Sequence, residues 1–436
     1  MTEYYDFREA LSKTQEYISK HYSQALVDNT AAKYIKSYVE KYLTDHNISV
    51  RGYDSKSLTE KIVNEMSGYS ILTPLLNSDS LEEININGWD DIAVTYRDGR
   101  IEKQKDIFFS RQHAVDIVKR LLNRSGMIID SATPVAQGHL PGNSRITVLK
   151  SPVVDEERGI AVSIRILRPA SIKIRQLYES GFATEEMLDF LCTCVRYGVP
   201  FVISGATSSG KTTLLNAVLE SVPDDKRIFT IESGSRELSL IKKVNGSTVN
   251  NVVHTLSRPS DNELYDITQE ELVVASLRFD PDIICVGEMR DVECYSAVEA
   301  SLTGHTVVST VHSGPGELCH TRIALLCQKR FPIDFKTSLS QVAQAFPVVI
   351  YTHKLENNER KCMDISECIV NPATGDRKYS TLYSYDIERT EISDGKYYVF
   401  GSFVKKNGMS ESLRKRMIQN GIPSDVLTRF AGKGRD

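Results

Sequence analysis

The chain has 436 residues, and 53 Lys and Arg against 57 Asp and Glu leave a net charge of −4. At roughly 150 residues per domain the length implies about three domains, and the near-balance of charge disfavours nucleic acid held by bulk electrostatics as a direct ligand. No apolar run approaches the roughly 18 residues of a membrane helix, the start Met1-Thr-Glu-Tyr-Tyr-Asp6 has no apolar signal core, and eight scattered cysteines fit neither a disulfide scaffold nor a four-cysteine zinc site, so a cytosolic chain without direct membrane insertion is expected.

Residues 1–65 read as a helical extension, because Tyr17, Ile18, Tyr22 and Leu26, then Tyr34, Ile35, Tyr38, Val39, Tyr42 and Leu43, recur near the helical period. From about residue 72 the pattern alternates. Leu81-Glu-Glu-Ile-Asn-Ile-Asn-Gly88 and Ile92-Ala-Val-Thr-Tyr96 are expected strands, 111–123 an amphipathic helix, and 145–149 and 160–167 two further strands. These make an α+β module over 66–172, ending in a linker at 168–173. The rhythm then becomes strand, loop, helix, strand. The runs 199–204, 227–232, 282–287 and 306–311 are apolar enough for strands covered on both faces, which implies a parallel sheet in an α/β core over 173–345. The remainder, 346–436, mixes strands (346–351, 397–404) with a helix near 410–420 and is expected to form a smaller C-terminal domain.

Gly205-Ala206-Thr207-Ser208-Ser209-Gly210-Lys211-Thr212, continued by Thr213, fits G-x-x-x-x-G-K-[ST] at every defined place, between an expected strand and helix. The spacing serves phosphate: glycines let successive N–H groups curl around it, Lys211 reaches the β- and γ-phosphates, and the Thr212 hydroxyl can hold Mg²⁺. ATP with Mg²⁺ is the expected ligand. Two apolar strands end in carboxylates, Ile228-Phe-Thr-Ile-Glu232 and Asp282-Ile-Ile-Cys-Val-Gly-Glu288. Two carboxylates near one nucleotide can divide the labour, one beside the metal (with Thr212) and one activating water, and spacing alone leaves open which does which. His305 and His312 flank a further strand.

Assembled in this order, the elements resemble the secretion traffic ATPases, the motors of type II secretion, type IV pili and type IV secretion. The phosphate loop is followed by an acidic box (Thr230-Ile-Glu232-Ser-Gly-Ser-Arg-Glu237-Leu), a Walker B segment from Pro281 through Glu288 to Asp291, and a histidine box from Thr303-Gly-His305 through Thr310-Val-His312. The resemblance implies a RecA-like P-loop core behind a PAS-like α+β module that closes over the nucleotide about the linker at 168–173. It assigns water activation to Glu232, Mg²⁺ through water to Glu288, and γ-phosphate sensing to His305 and His312. It matches Gly142-Asn-Ser-Arg145 and Ser163-Ile-Arg165 to segments whose arginines meet the γ-phosphate. It further implies a homo-hexamer, peripheral at the inner face of a membrane, driving pilus assembly or export through an inner-membrane platform protein. Ser233 stands where the family usually has Asp, so turnover or metal handling is expected to differ. The segment Pro74–Gly88 and the C-terminal helix resemble the tight-adherence pilus and conjugation branch, CpaF-like. The rival readings are a RecA-like DNA-translocating motor and a nucleotide-gated scaffold with little hydrolysis.

Overall fold

The computed structural model describes residues 4–22, 34–141, 144–166, 172–258, 266–371, 374–430 and 432. The chain divides into two compact units, 1–167 and 168–436. The expectations for Leu26, Gly142, Asn143 and most of the 168–173 linker fall outside the described residues.

The first unit opens with helices Phe7–His21, Ile35–Asp45 and Ser55–Met66. Asp6 caps the first, and Asp54 with Ser57 forms a capping box on the third. Their apolar stripes converge on Ala10, Ile18, Ile35, Val39 and Ile62, and Tyr17 stacks on Tyr42 at 4.4 Å. The short strands β1 (Tyr4–Tyr5) and β2 (Ser49–Val50) pair in parallel beside them.

Next come β3 (Leu81–Gly88), β4 (Asp91–Tyr96), β5 (Ile101–Lys103), β6 (Val135–Leu140), β7 (Ser144–Lys150) and β8 (Ile160–Ile166), in one antiparallel sheet ordered β5-β4-β3-β8-β7-β6. Strict alternation buries Ile160, Val162, Ile164 and Ile166 and leaves Ser163 and Arg165 on the other face. Helix Arg111–Asn123 adds Ala114, Val118, Leu121 and Leu122 to that core.

The expected boundary at residue 65 is bridged rather than loose. The buried Glu65 carboxylate accepts from Ser70 Oγ (2.6 Å) and His113 Nε2 (3.0 Å), and Arg120 donates to the carbonyls of Glu65 and Gly68.

The second unit is built on β9 (Phe201–Gly205), β10 (Ile228–Ser233), β13 (Val252–Ser257), β14 (Ile283–Met289), β15 (Thr306–Val311), β16 (Val348–Lys354), β17 (Arg360–Val370), β18 (Arg377–Ser393) and β19 (Lys396–Lys405); a small hairpin, β11 (Lys243–Val244) with β12 (Ser247–Thr248), lies apart. The large sheet runs β13-β10-β14-β15-β9-β16-β17-β18-β19, parallel through β16 and antiparallel beyond. Alternation along β9 sends Phe201 and Ile203 into one core and Val202 into the other, so the sheet is covered on both sides. The first core takes the helix after the phosphate loop; the second takes helices Glu293–Leu302, Gly316–Cys327 and Phe335–Ala345.

No boundary falls at 345/346. β16 pairs in parallel with β9, and Val348 and Ile350 share a core with Leu214, Met409, Leu413 and Phe430. A strand apolar on both faces must be covered on both, so 346–436 completes the core instead of standing beside it. Among the described residues no helix is long and apolar enough to cross a membrane.

Candidate nucleotide-binding site

Every parallel strand ends at the same edge of the sheet, and the side chains there form the site, as the crevice beyond strand carboxyl ends does in open α/β sheets. β9 delivers the phosphate loop, which leads into helix Lys211–Glu220. Ser208 (φ 61°) and Gly210 (φ 98°) hold left-handed backbone, the turn an anion cradle needs. At Gly205 a Cβ would run into the Thr352 carbonyl oxygen and Ser209 Oγ, so the loop is seated against the end of β16. Ala206, Thr207 and Ser208 are exposed, whereas Ser209 is buried and its hydroxyl meets Thr352 Oγ1 at 2.9 Å. Ser209 therefore anchors the loop through its side chain. Arg360 Nε donates to Ser208 O at 2.8 Å from the opposite side. Thr212 and Thr213, half-buried, occupy the first helical turn.

Lys211 Nζ donates to the carbonyls of Gly205 (3.0 Å) and Ala206 (2.8 Å) and lies 3.4 Å from His312 Nδ1. His312 Nε2 is 2.9 Å from Glu288 Oε1, and Arg290 stands 3.7 Å from the other Glu288 oxygen. This convergence follows from strand order. β15 runs between β9 and β14, and its register puts Val311 beside Ser204, so His312 emerges between the lysine and the acid.

Glu232 is the penultimate residue of β10 and is 4% exposed. Its Oε1 accepts from the amides of Glu237 (2.7 Å) and Leu238 (3.0 Å), while its buried Oε2 has no partner among the described residues. Burial pushes its carboxyl up to about 7, against the pull of those two amides. The expected acidic pair thus has two distinct environments: Glu288 beside His312 and Arg290, Glu232 desolvated. The missing bulk at Gly287 makes room for the Glu232 side chain, since a Cβ there would sit 3.1 Å from Glu232 Cγ.

His305 is not brought here. It precedes β15 at the opposite edge, about 23 Å along the strand from His312 at ~3.3 Å per residue. Its ring Nδ1 and backbone N–H both approach Ala300 O at 3.2 Å, closing the turn after helix Glu293–Leu302. Of the two histidines expected to sense the γ-phosphate, His312 stands beside Lys211 and Glu288, whereas His305 does not. Arg145 and Arg165 belong to the first unit, where they are direct cross-strand partners on β7 and β8. Arg165 lies 4.0 Å from Glu82, and Arg145 faces His139, whose proton affinity is lowered by burial and by that arginine.

Thr352, Arg360 and Asn216 were missed by sequence reasoning, because their relation to the site runs through tertiary contacts rather than local spacing.

The donor chemistry fits Mg²⁺. The Thr212 hydroxyl and the Glu288 carboxylate are hard oxygens, and Mg²⁺ characteristically takes few protein ligands and completes its shell with water and phosphate. Among the described residues no cluster of three or more His, Cys, Asp or Glu could hold a metal by itself.

Fold and site together define a P-loop nucleotide-binding α/β protein. The sequence family described as type II/IV secretion system protein matches residues 65–390, and the chain belongs to that family. It is 30% identical to the type IV secretion system protein PtlH of Bordetella pertussis over 67% of this chain and 92% of PtlH. It is 29% identical to an uncharacterized protein of Methanocaldococcus jannaschii over 62% of this chain, and spans 47% of that relative's length. Among solved structures, the ATPase DotB of Legionella pneumophila aligns with 18% identity over 82% of this chain and 83% of DotB, with a TM-score of 0.48.

Proposed function

We propose that this chain hydrolyses ATP to drive a type II/IV-type secretion or pilus machine. The observation that carries the reading is the line Lys211–His312–Glu288 at one sheet edge, with the desolvated Glu232 on the neighbouring strand. In this reading the loop amides and Lys211 hold the phosphates. Glu232, poised near neutral pH, accepts a proton from water as the water oxygen bonds to the γ-phosphorus and the bond to the β–γ bridging oxygen breaks, releasing ADP and phosphate. Thr212 and Glu288 would hold Mg²⁺, which would neutralise phosphate charge. His312 senses the γ-phosphate between lysine and acid.

The first unit is read as the PAS-like module. Arg145 and Arg165 are read as its phosphate-meeting arginines on the family resemblance; in the sheet they lie directly opposite each other, with Glu82 and Glu83 beside Arg165. We take that phosphate to be a nucleotide's. Membership of the family and the name of PtlH support work at a membrane-embedded machine. A homo-hexamer, cytoplasmic and peripheral at the inner membrane through a platform protein, in the tight-adherence or conjugation branch, is the assembly proposed.

The test is steady-state phosphate release from ATP by the purified chain and by Lys211→Ala. Magnesium-dependent release that is lost in the variant is expected. No release from the parent would favour the nucleotide-gated scaffold, and stimulation by DNA would favour the translocating motor.

A further inference from the structure

Between β10 and the β11–β12 hairpin the backbone is held by side chains. Glu232 takes the amides of Glu237 and Leu238, and the next amide, that of Ser239, donates to Asn216 Oδ1 at 2.8 Å. Farther along, Asn250 accepts from Lys242 N (2.9 Å) and donates to Leu240 O (2.7 Å). Leu238 and Leu240 are packed in the core below while Ser239 and Ile241 face outward, so the side-chain partners fix the path of the backbone over that core.

Asn216 is 3% exposed and lies on the helix that begins with Lys211, four residues after Thr212. Residues i and i+4 share a helical face, so Asn216 stands one turn behind the proposed metal-binding hydroxyl. Three consecutive amides are thus shared between the general base and the phosphate-loop helix. An asparagine buried in a helix interior costs polar desolvation and helix propensity, and a leucine would serve packing better.

We propose that Asn216 is a positioning residue, tying the phosphate-loop helix to the loop that holds Glu232, so that the placement of the phosphates sets the placement of the base. The inference rests on the reading of Glu232 as water-activating.

The test uses the full chain with Asn216→Ala and with Asn216→Asp, which keeps an acceptor for the Ser239 amide. Turnover, KM for ATP and amide exchange over 234–242 are measured for each. Asn216→Ala is expected to lower kcat about tenfold or more, since small misplacements of a reacting group carry large rate penalties, with KM within about twofold. Exchange over 234–242 should quicken, and Asn216→Asp should restore protection and most of the turnover. If Asn216→Ala does not fold, Asn216→Ser, too short to reach Ser239, takes its place. A kcat within about twofold of the parent, or a KM that rises as kcat falls, would overturn the tie. Glu232→Gln run in parallel separates the two ideas: full turnover there overturns the base assignment, whereas lost turnover beside an unaffected Asn216→Ala overturns the positioning role alone.

Discussion

Glu288 Oε1 and His312 Nε2 are 2.9 Å apart, and the other nitrogen of that ring faces the Lys211 ammonium at 3.4 Å. Burial, then the lysine, depress the affinity of His312 for a second proton, while Glu288 works the other way. A neutral ring donating from Nε2 to the carboxylate presents a lone pair at Nδ1 to the ammonium, which orients all three groups.

Replacing His312 with Ala should therefore uncouple lysine from acid without emptying the loop. Turnover is expected to fall about tenfold to a hundredfold, the range for a group that orients a metal-ligating side chain. Nucleotide affinity, read by fluorescent-analogue titration, should change by less than about threefold. His305→Ala, at the far edge, should leave that affinity unchanged.

The raised carboxyl of Glu232 predicts an acidic limb in kcat near pH 7, because only the ionised form accepts a proton from water. The stability consequence has a definite sign. The folded value lies above the unfolded 4.5, so between about 4.5 and 7 the native state binds more protons than the unfolded one, and stability falls as pH rises through that window. Glu232→Gln keeps an acceptor for both amides and carries no charge. It should abolish turnover while raising Tm at pH 8, measured by calorimetry.

Arg145→Ala should lower turnover at least about tenfold if the arginine pair meets a phosphate, since charge-assisted contacts to a developing anion are strong. It should leave Tm unchanged or raise it by a degree or two, because the substitution also relieves repulsion from Arg165 directly across the strand pair. A fall in both activity and Tm would mark Arg145 as structural instead.

A fragment ending at residue 345 should not fold. It would expose the side of β9 that β16 covers and remove Met409, Leu413 and Phe430 from the shared core. Broad, non-cooperative unfolding in circular dichroism is the expected result, against a cooperative transition for the intact chain.

Much of this was legible because it is local. The phosphate loop, its strand and its helix are specified by neighbours in sequence, and the apolar runs around Ile284 and Val308 follow from strands buried on both faces. The helix Arg111–Asn123 and the strand Leu81–Gly88 were readable from period alone. What escaped is nonlocal. Thr352 lies 143 residues from Ser209, and Arg360 lies 152 from Ser208, with no motif linking them. His305 and His312 looked equivalent because sequence shows two ends of a strand but not which edge faces the ligand. The 345/346 boundary rested on the change of rhythm beyond it, strands mixed with one late helix, yet β16 is inserted beside the first strand of the core.

That insertion has a consequence for how the molecule is made. β9 is synthesised early, but its two neighbours, β15 and β16, emerge only by Val311 and Lys354. At ~5–20 residues per second, roughly 150 residues separate the phosphate loop from its last partner strand, or about 8–30 s of translation. For that interval the apolar strand Phe201–Gly205 must be shielded by something other than its native neighbours, and no nascent chain shorter than about 354 residues can close the seat of its own phosphate loop.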